Sequence, residues 1–199
     1  MSDTTTTRRI RLATAAVWLC AAVFSLVAVG AALVLAKGGA LLTFGGASGD
    51  LDVVQLGMLD SAIPRDGLDP VLADVPTANR LLFAVAPLVT AASWVVVAAL
   101  VTGVLREIGA GRPFGPTVVG RLPRAAMVLG AGALLHLLAD VVATVAFMAS
   151  PRVGDLFSGM GSSGFDFPGT TFVCAVLIGA LAVAFRQGAA IERELVGLV

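Results

Sequence analysis

Apolar residues run in four long, nearly uncharged stretches that are separated by polar segments. A bilayer core about 30 Å thick is crossed by roughly 20 apolar residues of helix. Backbone polar groups in lipid must be satisfied within the segment, so each stretch is predicted to be a transmembrane α-helix. The predicted spans are residues 12–36, 81–105, 125–149 and 167–186.

The first stretch has a basic start, so a cleaved signal peptide is the alternative to a membrane anchor. A signal core has about 7–15 apolar residues, whereas this run has 25. We therefore expect an uncleaved anchor.

Composition supports a membrane protein. Hydrophobic residues make up 58% of the 199 residues and charged residues only 13%, against about 25% charged residues in a typical soluble domain. The predicted fold class is all-α: an integral membrane four-helix transmembrane bundle in one domain, residues 12–199. We expect residues 1–11 to be a disordered cytoplasmic segment, 37–80 a loop outside the cytoplasm, and 187–199 a cytoplasmic helix extension.

Charge is distributed unevenly between the two sets of loops. The termini and the loop after the second span carry nine arginines, whereas the two other loops carry four basic residues and eight acids. The positive-inside rule therefore predicts that both termini and the loop after the second span are cytoplasmic. The expected location is the plasma membrane. The nine arginines are Arg8, Arg9, Arg11, Arg106, Arg112, Arg121, Arg124, Arg186 and Arg193.

The third stretch contains a histidine and a carboxylate near its middle. His136 and Asp140 are four residues apart and share one helix face. Counting depth along the antiparallel spans places three hydroxyls nearby, on Ser25, Thr90 and Ser93. A carboxylate in mid-bilayer costs on the order of 3 kcal/mol, so these five residues predict an internal polar cluster. The cluster either takes up protons or a cation, or it fixes helix packing.

Other chemistry has little support in the sequence. Cys20 and Cys174 lie at different predicted depths, which disfavours a disulfide, and one histidine with two separated cysteines offers too few ligands for a metal. We expect no cofactor, no enzymatic activity and no direct nucleic-acid binding. Rows of small residues, such as Ala175 and Gly179, allow close helix contact within one chain or in a homo-oligomer.

Two motifs lie on the predicted cytoplasmic side. The middle loop has Gly111-Arg112-Pro113-Phe114, and the last helix continues as Phe185-Arg186-Gln187-Gly188 and then Glu192-Arg193-Glu194. With four spans, these motifs resemble a bacterial family of four-helix membrane proteins of unknown function. The resemblance implies no catalytic residues, but it implies a protein partner, such as a small helix-turn-helix transcriptional regulator.

The same motifs suggest a physical role at the inner end of the protein. Phe114 is placed to pack against the extended last helix, either as a clamp that closes the bundle or as a docking surface. The residues of this predicted site are Arg112, Pro113, Phe114, Phe185, Gly188, Glu192 and Glu194.

These patterns favour one function and leave an alternative open. The leading hypothesis is a non-enzymatic accessory or regulatory protein that sits in the lipid bilayer and binds a protein partner. The alternative is a small transporter or proton-coupled channel that uses His136 and Asp140.

Overall fold

A computed structural model describes residues 3–39, 62–64, 71–160 and 168–196. Its main elements are four long helices: α1 (Asp3–Lys37), α2 (Thr77–Gly109), α3 (Pro116–Met148) and α5 (Gly169–Val196). Shorter elements are a 3-10 helix (Leu72–Asp74), α4 (Pro151–Leu156), and two strands, β1 (Ala62–Pro64) and β2 (Phe157–Met160). The described part of the chain is therefore helical apart from one strand pair.

The four long helices are those predicted from hydropathy. Each is long and apolar enough to span a membrane, with a mean hydropathy between 1.8 and 2.6 in its most apolar window. The shortest, α5, has 28 residues and measures about 42 Å at 1.5 Å per residue. All four helices therefore exceed the thickness of a hydrocarbon core.

Large apolar side chains cover the outer faces of these helices. Only 17% to 39% of the residues in each apolar window are buried. On α1, for example, Leu19, Leu26 and Val27 are each at least 67% exposed. Apolar exposure on this scale is unfavourable in water but suits a hydrocarbon solvent.

The chain divides into two compact units that differ in charge. One comprises residues 1–25, 91–133 and 169–199, and the other comprises residues 26–90 and 134–168. The first holds nine basic and four acidic residues, a formal charge of +5, and is called the basic unit. The second holds four basic and nine acidic residues, a formal charge of −5, and is called the acidic unit.

Each unit has its own apolar core. In the basic unit, Val97, Ala125, Leu129 and Ala175 pack together, and a second cluster centres on Val118. In the acidic unit, three phenylalanines join α2, α3 and β2: the ring of Phe147 lies 6.0 Å from that of Phe83 and 5.5 Å from that of Phe157.

The strand pair in the acidic unit was not predicted. β1 and β2 are antiparallel, with Ala62 opposite Met160 and Ile63 opposite Gly159. The Ser158 hydroxyl also donates to the Ile63 carbonyl at 3.2 Å. Strands this short that contain glycine, serine and proline lack the alternating pattern by which strands are recognised. Most of the predicted loop 37–80 lies outside the described residues.

The N-terminus differs from the prediction as well. α1 begins at Asp3, so residues 3–11, expected to be disordered, belong to this helix. Helix nucleation is the costly step, and a helix nucleated in the apolar run extends through Thr4–Thr7 at low cost. The predicted extension of α5 is helical through Val196, and residues 197–199 lie outside the described residues.

Proline and glycine set the helix ends. Pro116 is the first residue of α3, where its missing N–H costs no hydrogen bond. Gly38 and Gly111 follow the ends of α1 and α2 with φ of 81° and 75°, a conformation that favours glycine. The Arg80 guanidinium lies over Gly38, and a cation suits the C-terminus of α1.

Candidate functional site

His136 forms the centre of a polar cluster in the acidic unit. Its Nδ1 lies 2.9 Å from Thr90 Oγ1 and 3.0 Å from the carbonyl oxygen of Ala86, both on α2. Its Nε2 lies 3.2 Å from Asp140 Oδ2, one turn further along α3. The two side chains are only 15% and 13% exposed, so these contacts are largely shielded from the surroundings.

The contacts favour one arrangement of the protons in this cluster. A carbonyl oxygen only accepts hydrogen bonds, so the short contact to Ala86 requires the proton on Nδ1. A neutral imidazole then has a lone pair on Nε2, and an ionised carboxylate only accepts. The Nε2–Oδ2 contact is a hydrogen bond only when one further proton lies between the two atoms, on either His136 or Asp140. With Nδ1 protonated, the pair is therefore arranged to share one proton.

Hydroxyl groups support the cluster from both helices. Thr90 Oγ1 donates to the Ala86 carbonyl at 3.4 Å, and Thr144 Oγ1 donates to the Asp140 carbonyl at 2.8 Å. A carbonyl has two lone pairs, so beyond its helix bond the Ala86 carbonyl has one lone pair left, which the short His136 contact and the longer Thr90 contact share.

The structure brings together three of the five residues predicted for this cluster: Thr90, His136 and Asp140. Ser25 and Ser93 belong to the basic unit. There the Ser25 hydroxyl donates to the Ala91 carbonyl at 3.4 Å, and the buried Ser93 hydroxyl lies against Gly132. The Ala86 carbonyl was missed, because a backbone acceptor carries no signature in the sequence.

A second candidate site lies in the basic unit, around Phe114. The ring centroids of Phe114 and Phe185 are 5.9 Å apart with a tilt of 48°. A turn presents Phe114 to α5: the Gly115 N–H donates to the Arg112 carbonyl at 3.2 Å, with Pro113 between them. Arg112 also pairs with Glu107 at 3.0 Å, but its side chain is 68% exposed, so this ion pair adds little stability.

Gly188 provides the space that the Phe114 ring occupies. A Cβ atom at position 188 would lie 2.5 Å from Phe114 Cε1 and 3.1 Å from two further ring atoms. Any larger residue must therefore push the ring away from α5. The glycine of the second motif is explained by this close approach.

Replacing Gly188 should therefore destabilise the protein. We expect Gly188→Val to lower the free energy of unfolding by about 1–3 kcal/mol through overpacking, although replacing a helix glycine ordinarily stabilises a helix. Thermal unfolding in detergent measures the change. The control is Ala190→Val, at an exposed position of the same helix. A Gly188→Val protein as stable as the wild type would contradict the close contact.

A groove of about 720 Å³ lies beside this contact, between the start of α3 and the last turns of α5. Its walls combine apolar and small residues with one cation and one anion. Arg186 and Glu192 are six residues apart on α5, or about 9 Å along the helix axis. The lining residues are Phe114, Pro116, Val119, Gly120, Arg186, Ala189 and Glu192.

The groove includes part of the predicted docking site and adds residues to it. Phe114 and Glu192 line it, and Phe185 and Gly188 contact or underlie Phe114. Glu194 is exposed and does not line the groove. It is two residues from Glu192, and residues two apart on a helix face different sides. The residues missed are Pro116, Val119 and Gly120 on α3 and Arg186 and Ala189 on α5. Arg186 and Ala189 precede the predicted Glu192 at intervals of three residues, a helical spacing that could have indicated them.

Within the described residues, no group of three His, Cys, Asp or Glu side chains is placed to hold a metal ion. Comparisons with protein-family models, curated proteins and solved structures found no match. The family resemblance of the two motifs therefore stays a prediction.

Proposed function

We propose that this chain is a multi-pass protein of the plasma membrane with both termini in the cytoplasm. The exposed apolar faces of four helices support a membrane location. The charges support the orientation, since the basic unit has a formal charge of +5 and contains both termini and the loop between α2 and α3.

Cysteine accessibility tests this orientation. With Cys20 and Cys174 replaced by alanine, Arg112→Cys should react with an impermeant maleimide only after cells are opened. Asp155→Cys should react in intact cells. Both positions are exposed, so burial does not limit the reaction. Labelling of position 112 in intact cells would contradict the proposed orientation.

We infer that the protein acts as a non-enzymatic accessory or regulatory protein that binds a partner at the groove beside Phe114. The observation that supports this proposal is the groove, which has apolar walls and two charged side chains, Arg186 and Glu192. Both charged residues follow the apolar run of α5. Water rather than lipid reaches this part of a membrane protein, so an open apolar groove here suits a protein segment.

The groove defines the chemistry of the partner. An amphipathic helix could lay an apolar side chain between Phe114, Val119 and Ala189, in the helix-in-groove mode. It would carry an acidic side chain opposite Arg186 and a basic side chain opposite Glu192. A cytoplasmic transcriptional regulator is the partner suggested by the motif resemblance. Loss of the bound partner after reversal of both groove charges tests the proposal.

The His136–Asp140 pair favours a second function, that of a small transporter or proton-coupled channel. The observation in its favour is the geometry that binds one proton between Nε2 and Oδ2. Intramembrane ionisable groups commonly mark ion or proton pathways. Proton flux in proteoliposomes that contain the Asp140→Asn protein tests this function.

A further inference from the structure

A second groove, of about 270 Å³, lies in the basic unit along α1 and α2. Its lining is almost wholly apolar and includes several small residues. The ring of Trp94 in this lining is stacked on Phe24, with centroids 4.8 Å apart and planes 8° apart. The lining residues are Ala16, Val17, Cys20, Ala21, Trp94, Val97, Ala98, Val101 and Ile178.

The position of this groove determines what can fill it. It runs from Ala16 to Ala21 on α1, and from Trp94 to Val101 on α2, which is about 10 Å of helix. Both segments lie within helices able to span a membrane. Hydrocarbon is the solvent there, and an apolar chain in the groove gains dispersion contacts with its walls. The acyl chain of a lipid is the occupant that every membrane supplies.

Arginine extends the groove toward the N-terminus of α1. Arg9 lies seven residues before Ala16, so the two share a helix face and are separated by about 10 Å. Ile10 is packed against Gly109 of α2, since a Cβ at position 109 would lie 2.7 Å from Ile10 Cδ1. This contact holds the basic segment beside α2 and places the exposed Arg9 near one end of the groove.

We propose that this groove is a binding site for one acyl chain of an anionic phospholipid, whose phosphate group is bound by Arg9. The apolar walls of the groove match the acyl chain, and the Arg9 guanidinium matches the anionic phosphate. The spacing between Arg9 and the groove corresponds to the spacing between the phosphate and the acyl chain of one lipid. The formal charge of +5 on the basic unit adds to this preference for anionic lipid. The proposal rests on the proposed membrane location but not on partner binding at Phe114.

Fluorescence of Trp94 tests the site directly, because this side chain lines the groove. Trp18→Phe leaves Trp94 as the one tryptophan of the chain. The protein is reconstituted into phosphatidylcholine vesicles with a small fraction of phosphatidylglycerol that carries brominated acyl chains. We expect brominated phosphatidylglycerol to reach half-maximal quenching at a mole fraction about fivefold lower than brominated phosphatidylcholine does. This factor corresponds to the attraction of about 1 kcal/mol between one arginine and anionic lipid.

Three variants separate the site from general lipid contact. Arg9→Gln should remove the preference for phosphatidylglycerol, whereas Arg8→Gln, about 100° away on the helix, should keep most of it. Cys20→Leu should weaken quenching by filling the groove.

Equal quenching by the two lipids, or a preference that survives Arg9→Gln, would overturn the proposal. Efficient cross-linking of two copies through Cys20 in a Cys174→Ala protein would assign the groove to a second copy and overturn it as well. A protein that does not enter the vesicles would instead contradict the membrane location.

Discussion

Reversing both charges of the groove beside Phe114, with Arg186→Glu and Glu192→Lys together, should release the bound partner. Each variant side chain would face a like charge on the partner instead of an opposite one. Like charges placed opposite each other in an interface cost several kcal/mol, and about 2 kcal/mol already corresponds to about a 30-fold change in affinity, so we expect recovery of the partner to fall at least about 30-fold. Co-purification in mild detergent, quantified by mass spectrometry, measures the loss.

Folding should survive this change because neither side chain is buried. Both residues are exposed on α5, and the double reversal leaves the net charge of the chain unchanged. Glu194→Lys is the matched control, since it reverses an exposed charge on the same helix outside the groove lining. Full recovery of the partner with the double variant, or equal loss with Glu194→Lys, would move the interface away from the groove.

Replacing Asp140 by leucine should destabilise the protein, whereas replacing it by asparagine should not. Asp140→Leu removes the partner of His136 Nε2, and an unsatisfied buried polar group costs about 1–3 kcal/mol. Asp140→Asn places an amide N–H donor where the shared proton lies, so the hydrogen bond to a neutral imidazole survives. Unfolding of the purified variants in mixed micelles measures both effects.

A double-mutant cycle distinguishes this account from simple loss of packing. His136→Leu with Asp140→Leu should cost less than the sum of the two single changes, because no polar group of the pair is left unsatisfied. If the free-energy costs of the two single variants add up to that of the double variant, the two side chains do not interact. That result, or an Asp140→Asn protein as unstable as Asp140→Leu, would contradict a proton shared between His136 and Asp140.

The same asparagine variant decides the second candidate function. Asp140→Asn keeps the hydrogen bond to Nε2, but its amide group does not take up or release a proton as a carboxylate does. If the protein passes protons through this pair, flux in proteoliposomes should disappear while the fold survives. Flux equal to that of the wild type would exclude a transport role for Asp140.

Hydropathy predicted the four long helices but not their ends. α2 runs from 77 to 109 and so extends beyond the predicted span 81–105, and α3 begins at 116, before the predicted span 125–149. The apolar run reports only the part of a helix that suits hydrocarbon, whereas the hydrogen bonds of a helix continue through polar residues. The strand pair could not be predicted, because three and four residues are too few for a strand pattern.

The two sites were predictable to different degrees. Spacing along one helix joined His136 to Asp140, and counting depth added Thr90, but the same count also selected Ser25 and Ser93. Depth gives the level of a residue in the membrane but not its contacts: the Ser25 hydroxyl contacts Ala91, and the Ser93 hydroxyl contacts Gly132. Of the groove lining, only Phe114 and Glu192 were predicted, because they were singled out in the two motifs, and no motif marked the α3 wall at Val119.

Photo-cross-linking from within the groove tests the central claim most directly. A photoreactive amino acid is placed at Val119, which lines the groove, or at Glu194, which is exposed outside it. In living cells, position 119 should give one distinct protein adduct that is absent from position 194 and disappears with Arg186→Glu and Glu192→Lys. No adduct from position 119, or the same adduct from both positions, would contradict a partner bound in the groove.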